Sequence, residues 1–187
     1  MKQTPAEPDA TIVTRVTGGD TAAYALLMQR YEQKLLRYVV FLIHDEAAAA
    51  DIVQETFIKA YQNLKGYKPA YKFSSWIYRI AHNETMNAVK RNRHQSGDDI
   101  DTLPELSYDP KTAEQLDLNI LQVGVRECVT QLEPKYQEVI QLIYFEEMRY
   151  DEASEVLHVP TSTVGVWLKR AKDKLRAICE QKGTRHA

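Results

Sequence analysis

The sequence predicts an all-α protein made of two small helical domains joined by an acidic linker, the C-terminal domain containing a helix-turn-helix. Three observations carry this prediction. Apolar residues recur at three-and-four spacing along nearly the whole chain, while strict apolar/polar alternation is almost absent. The seven glycines stand mostly outside the periodic segments. Between His94 and Pro110 the periodicity gives way to turn formers and acids, with prolines at 104 and 110. At 187 residues the chain has room for one ordinary domain or two small ones. The expected boundaries are 1–94, a linker over 95–117, and 118–187.

Composition excludes several classes. The longest apolar stretch, residues 38–43, is too short to span a bilayer, and no apolar segment follows the polar start as in a signal peptide. A soluble, cytoplasmic protein without membrane insertion is expected. Two cysteines, Cys128 and Cys179, make no disulfide framework and lack zinc-site spacing. Each reads as a buried structural thiol, Cys128 from its place on an apolar stripe. No cofactor, metal or catalytic centre is expected: His44, His82, His94, His158 and His186 are scattered, and neither a Gly-rich phosphate loop nor a nucleophile motif appears.

A net charge of −2 and a pI near 6.2 argue against nucleic acid only if the charge is evenly spread. It is not. Residues 1–94 hold 13 bases and 9 acids, 95–118 one base and seven acids, 119–157 three bases and eight acids, and 158–187 seven bases and two acids. The ends of the chain are basic and its middle is acidic.

The elements follow in order. Asp20, after Gly18-Gly19, is suited to cap a helix whose face carries Tyr24, Leu27 and Tyr31; Leu35, Leu36, Val39 and Ile43 continue it to about His44. The next helix, roughly 45–64, buries Ala49, Ile52, Val53, Thr56, Phe57, Ala60 and Leu64. Asp51, Gln54, Glu55, Ile58 and Gln62 share its other face. On periodicity alone that face reads first as solvated, although carboxylates around an exposed isoleucine also suit a basic partner.

Residues 65–73 interleave Lys65, Lys68 and Lys72 with Tyr67, Tyr71 and Phe73. Lysines neutralise phosphates and aromatic faces receive unstacked bases, the combination used to hold single strands. Ser74 or Ser75 is then expected to cap a helix over about 76–93. Its apolar set includes Trp76, Ile77, Ile80 and Ala81, and Arg79, Asn83, Lys90, Arg91 and Arg93 remain outside for phosphates and base edges. An aromatic core with a basic helix end explains this pattern equally well.

Beyond the linker, Leu118, Leu121, Val125, Cys128, Val129 and Leu132 define one helix, and Glu133-Pro134 starts another through Tyr136, Val139, Ile140 and Ile143. A short helix over 150–157, a turn at His158-Val159-Pro160, and a long helix with Val164, Leu168, Ala171, Leu175 and Ile178 inward make the helix-turn-helix. Its reading end carries Thr161, Ser162, Thr163, Gly165, Val166 and Lys169. Arg170, Lys172, Lys174 and Arg176, with Lys169, form the phosphate-facing part.

Two blocks, Asp51-Ile52-Val53-Gln54-Glu55-Thr56-Phe57-Ile58-Lys59-Ala60-Tyr61 and Phe73-Ser74-Ser75-Trp76-Ile77-Tyr78-Arg79-Ile80-Ala81-His82-Asn83, resemble the second conserved region of the sigma-seventy family. Residues 132–175 resemble its fourth region. Two regions and a short acidic linker resemble the extracytoplasmic-function (ECF) group, and the likeness spans about 22–178. The resemblance implies a sigma factor that binds core RNA polymerase and directs promoter-specific initiation without hydrolysing a nucleotide. Asp51, Gln54, Glu55, Ile58 and Gln62 would dock on the polymerase's largest subunit. Residues 67–73, Trp76, Arg79, Asn83 and the basic residues after them would read and melt the minus-ten element, taking a base of the non-template strand out of the stack. The helix-turn-helix would bind the minus-thirty-five duplex, and the acidic linker would enter the polymerase's positively charged cleft. An anti-sigma protein is a further expected partner.

The chain departs from the family pattern where His158 replaces a turn glycine and where Gly165-Val166-Trp167 replaces a Lys-Ser-Arg-like run. Neither Gly165 nor Val166 offers a side-chain hydrogen bond to a base, so an altered minus-thirty-five preference is expected. A helix-turn-helix regulator that ignores polymerase, and a sequestering protein that binds only protein, are the other readings.

Overall fold

The computed structural model describes residues 7–96 and 128–183, and the chain divides into two units, Met1–Ser96 and Gly97–Ala187. All regular structure among the described residues is helical. The helix expected over 118–132 is described only from residue 128, and the linker lies outside the described residues except for its first two positions.

The first unit starts with a helix the sequence reading missed, α1 (Asp9–Thr17). Its signal is short: Ile12, Val13 and Val16 after Pro8-Asp9, all buried. The Asp9 carboxylate accepts hydrogen bonds from the Arg30 guanidinium and, at 2.5 Å, from the Tyr31 hydroxyl. Asp20 caps a 3-10 turn (Thr21–Ala23), accepting the Ala23 N–H, before α2 (Tyr24–Ile43) begins. His44 ends α2 in the left-handed region (φ 53°), and extended Asp45 caps α3 (Glu46–Gln62) by accepting the Ala48 N–H at 3.0 Å.

A second 3-10 turn (Leu64–Gly66) leads to α4 (Phe73–Ser96), which starts three residues before the expected point. Neither serine is its cap. Ser75 is buried in the first turn, and its hydroxyl has no hydrogen-bond partner among the described residues. Leu27, Leu35, Tyr38 and Val39 of α2, Ile52, Val53 and Phe57 of α3, and Ile77, Tyr78 and Ala81 of α4 fill the core. Two polar handles are satisfied inside it or at its edge: Tyr24 donates to the Phe57 carbonyl at 2.8 Å, and the Tyr38 hydroxyl lies 3.4 Å from His82 Nδ1.

In the second unit Gln137 pins the turn before α5 (Pro134–Ile140) by donating to the Leu132 and Thr130 carbonyls. Pro134 occupies the first helical position, where a missing N–H costs nothing. The helix then widens into a π turn (Gln141–Phe145), closed by the Glu146 N–H on the Gln141 carbonyl. α6 (Tyr150–Leu157) and α7 (Thr161–Gly183) complete the helix-turn-helix, packed around Val139, Leu142, Ala153, Val156, Val164, Leu168 and Ala171.

His158, between α6 and α7, has φ 54°. A side chain in that region costs roughly 1–2 kcal/mol, part of which glycine recovers after its own entropy loss. His158→Gly is therefore expected to raise the stability of the second unit by about 0.5–1 kcal/mol in urea denaturation. An unchanged or lower midpoint would show that the imidazole makes compensating contacts.

The cysteine expectation needs correction. Cys128 and Cys179 are disulfide-bonded, with Cα atoms 5.8 Å apart across 51 residues of sequence. The length of α7 carries Cys179 back to Cys128, the first described residue of the unit, a closure that two distant cysteines in a sequence do not reveal.

Candidate nucleic-acid and polymerase interface

Three surfaces emerge, two on the first unit. Asp51, Gln54, Glu55, Ile58 and Gln62 are all exposed on α3, and Ile58 is 44% exposed. Tyr61, also exposed, adjoins them and was missed by the sequence reading; its ring meets Tyr24 edge-on at 5.0 Å. Lys59 lies 3.6 Å from Glu55 and 2.6 Å from Glu84, which holds the lysine's pKa up, Glu84 contributing most. Asp51, Ile52, Glu55, Lys59, Glu84 and Arg91 line a shallow groove of about 260 Å3 between α3 and α4. Arg91 thus faces the acids of α3 and not the rest of the basic set.

Helical geometry explains that separation. Trp76, Arg79, Asn83 and Lys90 recur at i, i+3, i+7 and i+14 and share one face of α4, whereas Arg91 is turned roughly 100° further round. Asn83 and Lys90 are exposed, Trp76 and Arg79 half-buried; the Arg93 side chain lies outside the described residues.

The aromatic loop does not offer all its rings to a ligand. Phe73 is 2% exposed and Tyr67 is 8% exposed. They pack with Trp76 and Tyr31 in one cluster, ring centroids 5.5–5.6 Å apart in the Tyr31–Phe73, Tyr67–Phe73, Tyr67–Trp76 and Phe73–Trp76 pairs. The Tyr67 hydroxyl donates to the Tyr71 carbonyl at 2.7 Å and so closes the loop. Burial pushes the Tyr67 and Tyr31 phenols up, helped at Tyr31 by its bond to Asp9. Tyr71, in contrast, is 50% exposed, and Lys72 beside it is exposed too. The expectation of open ring faces therefore fails for Tyr67 and Phe73, because these two rings are used to build the platform that presents Tyr71.

On the second unit, Thr161, Ser162, Val166, Lys169, Arg170, Lys172 and Arg176 are exposed along α7, with Thr163 and Gly165 half-buried. The Thr161 hydroxyl reaches Ser154 of α6 at 3.3 Å. Gly165 faces the Tyr150 ring: a β-carbon there would lie 3.6 Å from it, room for alanine but not for a longer side chain without moving the tyrosine. Lys172 sits over the ring of Tyr144, and the Tyr144 hydroxyl raises its pKa. Exposed Tyr144 and Tyr150 lie against α7, at Lys172 and Gly165, and were absent from the expected set. Lys174, expected to face phosphate, is paired with Glu133 and lies over the Tyr136 ring. That contact, with a second one to Lys135, lowers the Glu133 pKa.

One helical unit thus carries an exposed acidic face and a separate basic aromatic face, and the other carries a helix-turn-helix. That is the build of a two-domain helical protein of the DNA-binding class. Residues 27–95 match Sigma-70 region 2, and residues 122–175 match Sigma-70, region 4. The RNA polymerase sigma-H factor of Pseudomonas aeruginosa is 31% identical over 179 residues, covering 90% of this chain and 92% of the relative. The ECF RNA polymerase sigma factor SigW of Bacillus subtilis is 27% identical, covering 88% and 92%. Among solved structures, CnrH in complex with the cytosolic domain of CnrY superposes with a TM-score of 0.70 at 23% identity, covering 94% of this chain and 99% of that one. The Bartonella quintana sigma factor RpoE, in complex with the anti-sigma factor NepR, gives 0.66 at 19% identity, covering 84% and 96%. The chain belongs to the sigma-70 family, in its ECF group, and is a promoter-directing RNA polymerase sigma factor. No helix among the described residues is long and apolar enough to cross a membrane.

Proposed function

We propose a division of labour for this sigma factor. Asp51, Gln54, Glu55, Ile58 and Gln62 dock on core RNA polymerase. Tyr71, Lys72, Trp76, Arg79, Asn83 and Lys90 meet the minus-ten element and its melted non-template strand, with Tyr67 and Phe73 as the support beneath them. Thr161, Ser162, Thr163, Gly165, Val166, Lys169, Arg170, Lys172 and Arg176 bind the minus-thirty-five duplex, and residues 95–117 join the two domains. The observation that carries this reading is the exposure of acids and Ile58 on α3 in the same unit whose α4 presents Trp76, Arg79, Asn83 and Lys90 on a separate face. Docking and strand capture then proceed together without competing for one surface.

Catalysis by the chain itself has no place here. Flipping a base costs a few kcal/mol, roughly, and stacking on an exposed aromatic plus phosphate contacts offset it. The site of action is the cytoplasm, where polymerase and promoter are. CnrH and RpoE were solved with protein partners, and by analogy an anti-sigma protein covering the α3 face restrains this chain. In vitro transcription with purified core polymerase on a library of genomic promoters tests the reading and finds the promoter in one step. Transcripts sharing minus-ten and minus-thirty-five elements are expected; absence of any promoter-specific transcript would reject it.

A further inference from the structure

The Cys128–Cys179 pair takes no part in the function proposed above. The chain contains two cysteines, and the fold brings both together: Cα atoms lie 5.8 Å apart, within the span a disulfide bridges without backbone movement. Cys128 is 3% exposed, whereas Cys179, near the end of α7, is half-buried and open to solvent on one side. A protein that works beside RNA polymerase sits among thiols kept reduced, and disulfides found there are usually transient and redox-sensing.

We propose that Cys179 and Cys128 form a reversible oxidation site for hydroperoxides, and that the bridge tightens the grip of α7 on promoter duplex. The bridge stands independently of the minus-thirty-five role; its effect on DNA rests on that role. In the first step the Cys179 thiolate attacks the hydroperoxide, an S–O bond forms, the O–O bond breaks, and the departing oxygen takes a proton to leave as water or alcohol. In the second, the Cys128 thiolate attacks the sulfenic sulfur, the S–S bond forms and the S–O bond breaks, releasing water. Two thiols are oxidised and one peroxide is reduced. A cellular dithiol reverses the bridge by exchange.

Its place in the fold gives the bridge a consequence. The first half of α7 is held by buried Val164, Leu168 and Ala171, but Leu175 and Ile178 in the second half are only half-buried. The last turns depend more on Lys174 with Glu133 and on the cysteine pair. Fixing those turns to residue 128 holds Lys172 and Arg176 in line with the reading end, so fewer motions must be frozen when DNA binds.

The test treats the full-length protein with hydrogen peroxide or with a dithiol, and then measures intact mass and the binding of holoenzyme to the promoter duplex found by the transcription experiment. Expected are a mass loss of two hydrogens on oxidation and duplex binding tighter by about fivefold, the low end of ordinary coupling between sites. Cys179→Ser, and Cys128→Ala with its smaller risk to the buried position, should bind as the reduced protein does under both treatments. Cys128→Ala should also retain a sulfenate on Cys179 that a dimedone probe labels. A peroxide-treated protein without the intramolecular bridge, or a bridged protein with unchanged duplex affinity, overturns the proposal. If both redox states transcribe equally from the same promoter, the redox inference fails while the sigma reading stands. If neither state transcribes, the sigma reading fails and takes the DNA effect with it.

Discussion

Asp51→Arg combined with Glu55→Arg is expected to weaken binding to core RNA polymerase by about 100-fold or more. Both carboxylates are exposed, one helical turn apart, on the face that also holds Ile58. Placing like charges against a basic partner costs several kcal/mol, and about 2.7 kcal/mol already corresponds to 100-fold. The loss should not come from unfolding. Glu55 contributes one i, i+4 pair with Lys59, worth about 0.3–0.5 kcal/mol at the surface, and Lys59 keeps Glu84 as its nearer partner. New repulsion with Arg91 across the shared groove adds to that, so the expected destabilisation is below about 1 kcal/mol. Titration of labelled variant with purified core polymerase, beside a thermal melt, separates the two effects. Binding within twofold of the parent would move the docking face off α3.

Most of the fold was legible because helical periodicity is long-range along the sequence and needs no knowledge of partners. The faces of α3 were separable at 3.6 residues per turn, and exposure of Asp51, Gln54, Glu55, Ile58 and Gln62 agrees with the expected division. Boundaries were less legible where two chemistries compete. Ser74 and Ser75 have the right side chains for a cap, yet the cluster of Phe73 with Tyr31, Tyr67 and Trp76 draws helix α4 back to Phe73 and carries Ser75 inward. α1 escaped notice because three apolar residues in nine are a faint stripe, and what anchors it, Asp9 on Arg30 and Tyr31, is tertiary.

The candidate site was legible in residue type but not in role. An alternation of lysines and aromatics gives no sign of which rings will be spent on one another. Nor does the charge of Lys174 announce that Glu133, 41 residues earlier, will claim it. Gly165 shows the reverse case: as a departure from a family pattern it suggested a lost contact, whereas the fold places the Tyr150 ring against it.

The largest effect on the molecule itself is expected from Phe73→Ala, and its neighbour Tyr71 supplies the comparison that gives the result meaning. Phe73 is fully enclosed by Tyr31, Tyr67 and Trp76, so truncation leaves a cavity and should cost about 3–5 kcal/mol. For a unit of this size each kcal/mol shifts the melting temperature by about 4–8 °C, so the first unit should melt at least about 12 °C lower. Tyr71→Ala removes an exposed ring but leaves the carbonyl that Tyr67 bonds, so the loop stays closed and stability should change by less than about 0.5 kcal/mol. If Tyr71 is the ring on which the flipped base rests, its loss removes about 1–3 kcal/mol of stacking, a fall of roughly 5- to 150-fold in promoter opening. Permanganate reactivity of minus-ten thymines measures opening directly. A template already unpaired over the minus-ten element should restore part of the lost transcription to Tyr71→Ala by removing the melting cost, and should restore none to Phe73→Ala above its lowered melting point. Equal opening by Tyr71→Ala and the parent on duplex DNA would assign base capture to Trp76, whose half-buried ring is the other aromatic surface left to a base on that face.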